Sequence, residues 1–216
     1  MKILSVNIGE KRMQPKGDGL ETTGIFKLAA RAPVRIDALG LPGDFICDLE
    51  NHGGPDQAVY LYGAPDYAWW SNELGRELEP GTFGENLTVD GFESARFNIG
   101  DRLQIGTLVL EFTAPRIPCS TLARRMGVPR FVKSYQAAER PGMYCRVIHE
   151  GTVQAGDAAT LIPYAGPTVS CLEVFHAHFL HGPDEATLHR VLEAPIAARA
   201  RTDFERDLRR LQGITR

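Results

Sequence analysis

Arg102-Leu103-Gln104-Ile105-Gly106-Thr107-Leu108-Val109-Leu110-Glu111-Phe112-Thr113-Ala114-Pro115-Arg116-Ile117-Pro118-Cys119-Ser120-Thr121 is the stretch that decides how this chain reads. Alternating apolar residues on both sides of Gly106-Thr107 predict a β-hairpin with a tight turn. The second strand then passes two prolines and runs into a helical pattern from Thr121 to Met126. Cys119 therefore stands where a strand meets a helix N-terminus. Unpaired backbone N–H groups and the positive end of the helix dipole favour thiolate there, and only the thiolate is a nucleophile or a metal ligand. Arg116 adds a fixed positive charge nearby. Burial acts the other way, so the local sequence leaves a reactive and a packed Cys119 both open.

Outward from this stretch, most of the chain reads as short strands. Leu4-Ser5-Val6-Asn7-Ile8, Ala58-Val59-Tyr60-Leu61-Tyr62 and Met143-Tyr144-Cys145-Arg146-Val147-Ile148 have strand character, and Leu87-Thr88-Val89 runs into a hairpin-type Asp90-Gly91. Gly-Asp recurs as Gly43-Asp44, Gly100-Asp101 and Gly156-Asp157, a repeated turn chemistry rather than a sequence repeat. Such spacing predicts a mainly β fold over residues 1–163, a closed or nearly closed β-barrel. Helical insertions begin at Pro65-Asp66 and cover Thr121 to Met126 and Arg130 to Ala138. Residues 163–167 read as a linker to a second unit, 168–216, made of three short helices. Ser170-Cys171-Leu172-Glu173 has the form of a capping box, Gly182-Pro183-Asp184 stops one helix and starts the next, and Pro195 precedes a third reaching about Leu211.

Composition narrows the function classes. With 216 residues, 43% of them hydrophobic and 24% charged, the chain is long enough for a full core. A net charge of −3 argues against general nucleic-acid or membrane-surface binding, which needs a basic excess. The first residues lack a signal-peptide pattern and no apolar run is long enough to span a bilayer, so a cytoplasmic location is expected. Cys47, Cys119, Cys145 and Cys171 form no C-x-x-C pair, which excludes the usual zinc-ribbon and iron–sulfur spacings, and no disulfide framework is expected. Cys47, Cys145 and Cys171 are expected to pack. Of His176, His178, His181 and His189, only His178 and His181 share a helix face, and all four read as surface or packing residues. The mixed-sign run Arg199 to Arg210 reads as a solvated helix face. No dinucleotide, P-loop or serine-elbow motif is present.

Two loops carry further candidates. In Asp48 to Val59, His52-Gly53-Gly54 allows positive φ and an anion-cradling backbone, or is simply a Gly-Gly turn beside an exposed histidine. In Gly81 to Leu87, Glu85 and Asn86 offer a carboxylate and an amide, or mark a bulged strand entry.

Taken in order, His52 to Val59 with Tyr67-Ala68-Trp69-Trp70, Phe83 to Leu87, Ile99-Gly100-Asp101, Pro115 to Cys119 and Gly142 to Val147 resemble the MOSC domain family, named for the molybdenum cofactor sulfurase C-terminal domain. The match is to a branch with a small C-terminal helical domain. This resemblance implies a barrel like that of pyruvate kinase, holding a molybdenum cofactor (a molybdopterin) with Cys119 bonded to the metal. A soft thiolate suits a metal already chelated by the cofactor's own sulfurs. The cofactor's phosphate would fall to Arg116, then to the His52-Gly53-Gly54 turn, then to Lys27. Asn86 would hydrogen-bond the cofactor, and His52 and Glu85 would move protons. Leu28-Ala29 after Lys27, and Gly84 where some relatives carry a basic residue, depart from the pattern.

The implied activity is a detoxifying oxidoreductase. It removes oxygen from N-hydroxylated substrates, such as N-hydroxylaminopurine-type bases or amidoximes, to give the amine. Lacking a flavin or NAD fingerprint, the chain would draw its electrons from a separate reductase. The alternative is a carrier module that passes cofactor, or sulfur held as a Cys119 persulfide, to another enzyme. A Cys119/His52 hydrolase is a third reading. Oligomeric state is not encoded legibly.

Overall fold

A computed structural model describes residues 1–48, 52–179 and 183–214. The first half runs β1 (Lys2–Gly9), β2 (Arg12–Lys16), β3 (Gly19–Thr23), β4 (Lys27–Ala29), β5 (Val34–Ile36), β6 (Val59–Gly63), α1 (Ala64–Leu74) and β7 (Leu87–Asp90). Then come β8 (Arg102–Ile105), β9 (Leu108–Pro115), α2 (Ser120–Met126), α3 (Phe131–Ala138), β10 (Met143–His149), β11 (Gly151–Val153) and β12 (Thr160–Ile162). Three helices follow, α4 (Cys171–Phe179), α5 (Glu185–Glu193) and α6 (Ala198–Leu211).

The predicted hairpin forms, with Ile105 opposite Leu108 and Gly106 at φ 56° in the turn. It sits inside an eight-stranded sheet ordered β12-β8-β9-β10-β6-β7-β1-β4. All neighbours are antiparallel except β6 and β7, which are parallel because α1 crosses over between them. The sheet curls. Ile3 N–H donates to Asp157 O (2.9 Å), Gly156 N–H to Ile3 O (2.8 Å) and Ala159 N–H to Met1 O (3.0 Å). The β12 end of the sheet thereby returns to the start of β1. The Asp90-Gly91 turn makes no hairpin, since β7 pairs with β6 and β1 rather than with the strand that follows it. The three Gly-Asp pairs do behave alike. Gly43, Gly100 and Gly156 have φ of 88°, 90° and 98°, and each aspartate accepts a backbone N–H.

The capping box at Ser170 is formed: Glu173 N–H donates to Ser170 Oγ (3.1 Å) and Ser170 N–H to Glu173 Oε2 (2.9 Å). Asp184 caps α5 through Thr187 N–H (2.8 Å), while Gly182 of the predicted break, and His181 before it, lie outside the described residues. Val174, Ala177, Leu188, Val191 and Phe204 of these helices join one buried cluster with Leu110 and Phe112 of β9. Burying them removes apolar surface from water at about 25 cal/mol per Å². The entry to α6 is pinned to the sheet. Ala197 N–H donates to Thr113 O (3.0 Å), Ala198 N–H to Asp56 Oδ2 (2.7 Å), and Arg146 bonds Pro195 O (3.1 Å). Among the described residues no helix is long and apolar enough to cross a membrane.

Gly142, just ahead of β10, shows how tightly the aromatic layer under β6 is packed. Its φ is 66°, and a Cβ there would lie 2.6 Å from Tyr60 Oη and 2.7 Å from Leu61 O. Gly142→Ala should therefore destabilise by about 2–4 kcal/mol, through strain and overpacking together. Thermal unfolding should show a Tm lower by roughly 5–12 °C, and an unchanged Tm would contradict this packing.

Candidate active site

β9 delivers its last residue, Pro115, to the floor of a cleft of about 810 Å³, and Cys119 takes the N-cap position of α2 in extended backbone. Strands and the loops beside them line the cleft with Lys27, Asp44, His52, Tyr60, Arg116 and Tyr144, and residues of α4 and α6 line it as well. Burial pushes the Cys119 thiol up. Hydrogen bonding from His52, the charge of Arg116 and the Leu122 N–H in the first turn of α2 outweigh it, and the thiol falls to about 6. The reactive reading of Cys119 is the one this geometry supports. Cys145 and Cys171 are buried and pushed well up, as expected of packing residues. Cys47 is not packed. It is exposed on the cleft, because no layer covers the irregular segment that carries it.

A pH profile of alkylation tests this electrostatics. In a Cys47→Ser background free of cofactor, the Cys119 rate should be on a plateau above pH 7, fall through a midpoint near 6, and drop about tenfold per unit below it. Replacing His52 by alanine should move the midpoint upward; an ordinary thiol midpoint in the parent protein would refute the arrangement.

Arg116 is only 5% exposed. Its Nη1 donates to Phe83 O (2.7 Å), its guanidinium lies 4.9 Å from the Tyr60 ring centre, and its Nε is buried without a protein partner. Gly84 explains the departure noted above. A Cβ there would come within 2.9 Å of Ile25 Cγ1 and 3.3 Å of Arg116 Nη1, at a φ of 76°. Arg116 already fills the space that a longer side chain at this position would need. Tyr60 and Tyr144 face each other across β6 and β10, with ring centres 5.0 Å apart, and His52 Nδ1 is 3.3 Å from Tyr144 Oη. Burial pushes both phenols up and keeps them neutral. The sequence reading gave neither tyrosine a role. Their signal is two polar-tipped aromatics on neighbouring strands, legible only once the register is known.

Other expected residues take different places. Lys27 lines the cleft, but its ammonium is 2.5 Å from Asp44 Oδ2, a buried pair that leaves little charge to spare. Burial lowers the Lys27 pKa against the pull of Asp44. Asn86 also lines the cleft, with its amide committed to Asp44 Oδ2 (2.8 Å), Asn7 O (3.4 Å) and Tyr60 N–H (3.0 Å). Both residues hold the floor rather than offering free groups to it, and Asp44, the centre of this network, was not among the site candidates. Glu85 is fully buried and does not line the cleft, which removes it as a proton shuttle. Its Oε1 accepts from Tyr67 Oη (2.7 Å), Gly81 N–H (2.6 Å) and Thr88 Oγ1 (2.7 Å), so it shapes the 81–88 loop. Gly53 and Gly54 do not line the cleft either. Gly53 N–H donates to Gln57 Oε1 (3.3 Å), and Gly54, at φ 81° and ψ 174°, leads into the turn at Pro55 instead of forming a nest.

His176 pairs with Glu139 (2.6 Å) and His189 lies 3.5 Å from Glu185, but His178 faces the cleft. The charged run of α6 is not simply solvated, since Asp203, Arg206 and Asp207 also face the cleft. Among the described residues no group of three or more His, Cys, Asp or Glu is placed to hold a metal.

Fold and site together define a protein that presents one acidic thiol on the floor of a cleft between a curled sheet and its terminal helices. The MOSC domain model matches residues 48–160, and the chain belongs to the MOSC domain family. It is 34% identical over 211 residues to YflK of Bacillus subtilis (strain 168), covering 97% of this chain and 95% of YflK. It is 32% identical over 176 residues to a protein named Reductase from Gibberella moniliformis (strain M3125 / FGSC 7600), covering 80% of this chain but 31% of that longer protein. The crystal structure of YiiM from Geobacillus stearothermophilus superposes with a TM-score of 0.79 at 26% identity, covering 96% of this chain and 98% of that one.

Proposed function

We propose that this protein is a molybdenum-cofactor-dependent reductase of N-hydroxylated compounds, supplied with electrons by a separate reductase. The observation that carries the reading is the Cys119 thiolate, set in a cleft large enough for an organic cofactor and a substrate. The donor set fits the cofactor. One soft sulfur is what a metal chelated by a dithiolene still lacks, and the unpartnered, buried Nε of Arg116 is a donor awaiting an acceptor. The family match and the relative named Reductase support the same reading.

When bound, the cofactor would supply the two-electron redox couple for N–O reduction. Overall, R–NHOH takes up two electrons and two protons, the N–O bond breaks, and the amine and water leave. Cys119 would hold the metal, Arg116 would neutralise anionic charge beside it, and the Tyr60 and Tyr144 rings would keep water from the floor. His52, in reach of both Cys119 and Tyr144 Oη, holds a proton where the leaving oxygen needs one.

Protein made in a cofactor-competent host should reduce an amidoxime with a reduced viologen dye but not with NADH alone. NADH-driven turnover by the pure protein would overturn the separate reductase. A Cys119 persulfide without molybdenum would favour the carrier reading instead.

A further inference from the structure

The reductase reading needs electrons from a second protein, and electron transfer falls off steeply with distance. A donor must therefore dock close to Cys119. The β2–β3 hairpin is held there, because it leans on α2, the helix that Cys119 caps. Gln14 donates to Thr121 O (3.4 Å), Thr121 Oγ1 donates to Glu21 Oε1 (3.3 Å), and Arg124 pairs with the same carboxylate. Register turns Gln14 and Glu21 to α2, and leaves Met13, Pro15 and Leu20 on the outer face. Met13 and Leu20, diagonal neighbours across the two strands, are 55% and 65% exposed. Among the described residues β2 and β3 pair with no other strand, so nothing in the sheet covers this face.

Charge beside the hairpin is one-sided. Arg12 at the start of β2 and Arg125 of α2 stack on the same Phe26 ring, 5.7 and 4.5 Å from its centre. Arg12 meets Glu10 at 3.6 Å, while Arg125 gives its hydrogen bonds to the carbonyls of Gly81 (3.0 Å) and Thr82 (2.6 Å). Lys11 stands 6.0 Å from the Phe45 ring centre, with no carboxylate partner among the described residues. Burial draws Arg125 down, and the charges of Arg12 and Arg116 add to it against the pull of Glu85. Three guanidiniums thus form a ladder from Arg116 beside Cys119, through Arg125, to exposed Arg12. On and beside the hairpin and α2, Lys11, Arg12, Lys16, Arg124 and Arg125 stand against Glu10, Asp18 and Glu21, in a chain whose net charge is −3. A local positive excess on a negative chain attracts an acidic partner. It disfavours a two-fold contact with a second copy, which would set the patch against itself.

We propose that the β2–β3 hairpin, with Lys11, Arg12 and Phe26 beside it, is the docking face for a small acidic electron-carrier protein. The assignment rests on the reductase reading and places the partner which that reaction requires. The cations steer the carrier in, and Met13 and Leu20 give it apolar contact. A small apolar patch beside exposed charges suits a partner that leaves after each delivery. Two visits by a one-electron carrier, each oxidising one carrier molecule, supply the two electrons of one turnover.

The probe is an acidic plant-type 2Fe–2S ferredoxin, compared on molybdenum-loaded wild type, Lys11→Glu/Arg12→Glu and Leu20→Gln. By calorimetry, oxidised ferredoxin should bind wild type at low salt and weaken about tenfold or more in the charge-reversed variant. It should weaken about threefold or more in Leu20→Gln, with the salt dependence unaltered. With an amidoxime present, oxidation of reduced ferredoxin should slow in the same order. Turnover driven by a reduced viologen dye should stay within about twofold in all three proteins. Absence of ferredoxin binding or ferredoxin-driven turnover in a wild type that viologen drives, or equal binding in all three, would overturn the docking face alone. A wild-type dimer that Leu20→Gln dissociates would also overturn it, since a second copy then covers the face. Wild type that carries no molybdenum, or turns over with neither donor, would overturn the reaction and the docking face with it.

Discussion

Cys119→Ala is expected to abolish molybdenum retention and N–OH reduction together, lowering kcat/KM by on the order of a thousandfold or more, while Tm moves by no more than a few degrees. The two halves of that expectation have different causes. Cys119 is half-buried at an N-cap and its sulfur bridges nothing in the core, so trimming it opens a gap that already faces the cleft. No histidine or carboxylate cluster among the described residues stands by to replace the lost ligand. Metal analysis of wild type and variant, paired with thermal unfolding, reads both halves at once. A stoichiometrically loaded Cys119→Ala protein would refute the ligand role, and a collapsed Tm would show that the thiol is a packing residue after all. Cys119→Ser should behave like the alanine variant, because a neutral hydroxyl is a poor partner for a soft metal.

Arg116→Met should be the second most damaging change, through charge rather than shape. Methionine fills much the same volume, so the loss is a cation beside the thiol, the donor to Phe83 O, and a buried, unpartnered donor that lines the cleft. Without that cation the Cys119 midpoint should rise by roughly one unit or more, since burial then meets less opposition. Cofactor occupancy should fall with it. Arg116→Lys should restore most of the midpoint, as any nearby cation does, but little of the occupancy, because the fixed fork of donors is gone. If the methionine variant keeps its midpoint near 6, the thiolate is not sustained by Arg116.

Much of this was legible beforehand for local reasons. The Gly106-Thr107 turn, the Ser170 capping box and the placement of Cys119 between strand and helix depend on residues within a few positions of one another. What escaped depends on partners far along the chain. Asp90-Gly91 looks like a hairpin turn until β7 is seen to be claimed by β1 and by the parallel β6. Glu85 looks like an acid–base group until Tyr67, Gly81 and Thr88 are found around its Oε1. Cys47 sits among apolar neighbours in sequence, yet the chain there has no second layer above it. Charge alternation along α6 is the pattern of a solvent-facing helix, and nothing within the helix reveals that part of that face borders a cleft. Tyr60 and Tyr144 become a pair only through the register of β6 against β10.

Asp56 ties several of these parts together. One oxygen receives the first N–H of α6 (2.7 Å), the other forms an ion pair with Arg146 of β10 (3.1 Å), and its own carbonyl accepts from Thr113 Oγ1 (2.6 Å) on β9. The turn that follows His52 is therefore cross-braced by the C-terminal helices. Geometry at the thiol is inherited in part from residues about eighty positions downstream of it, so helices that add no atom to the reacting centre still govern how well it is aligned.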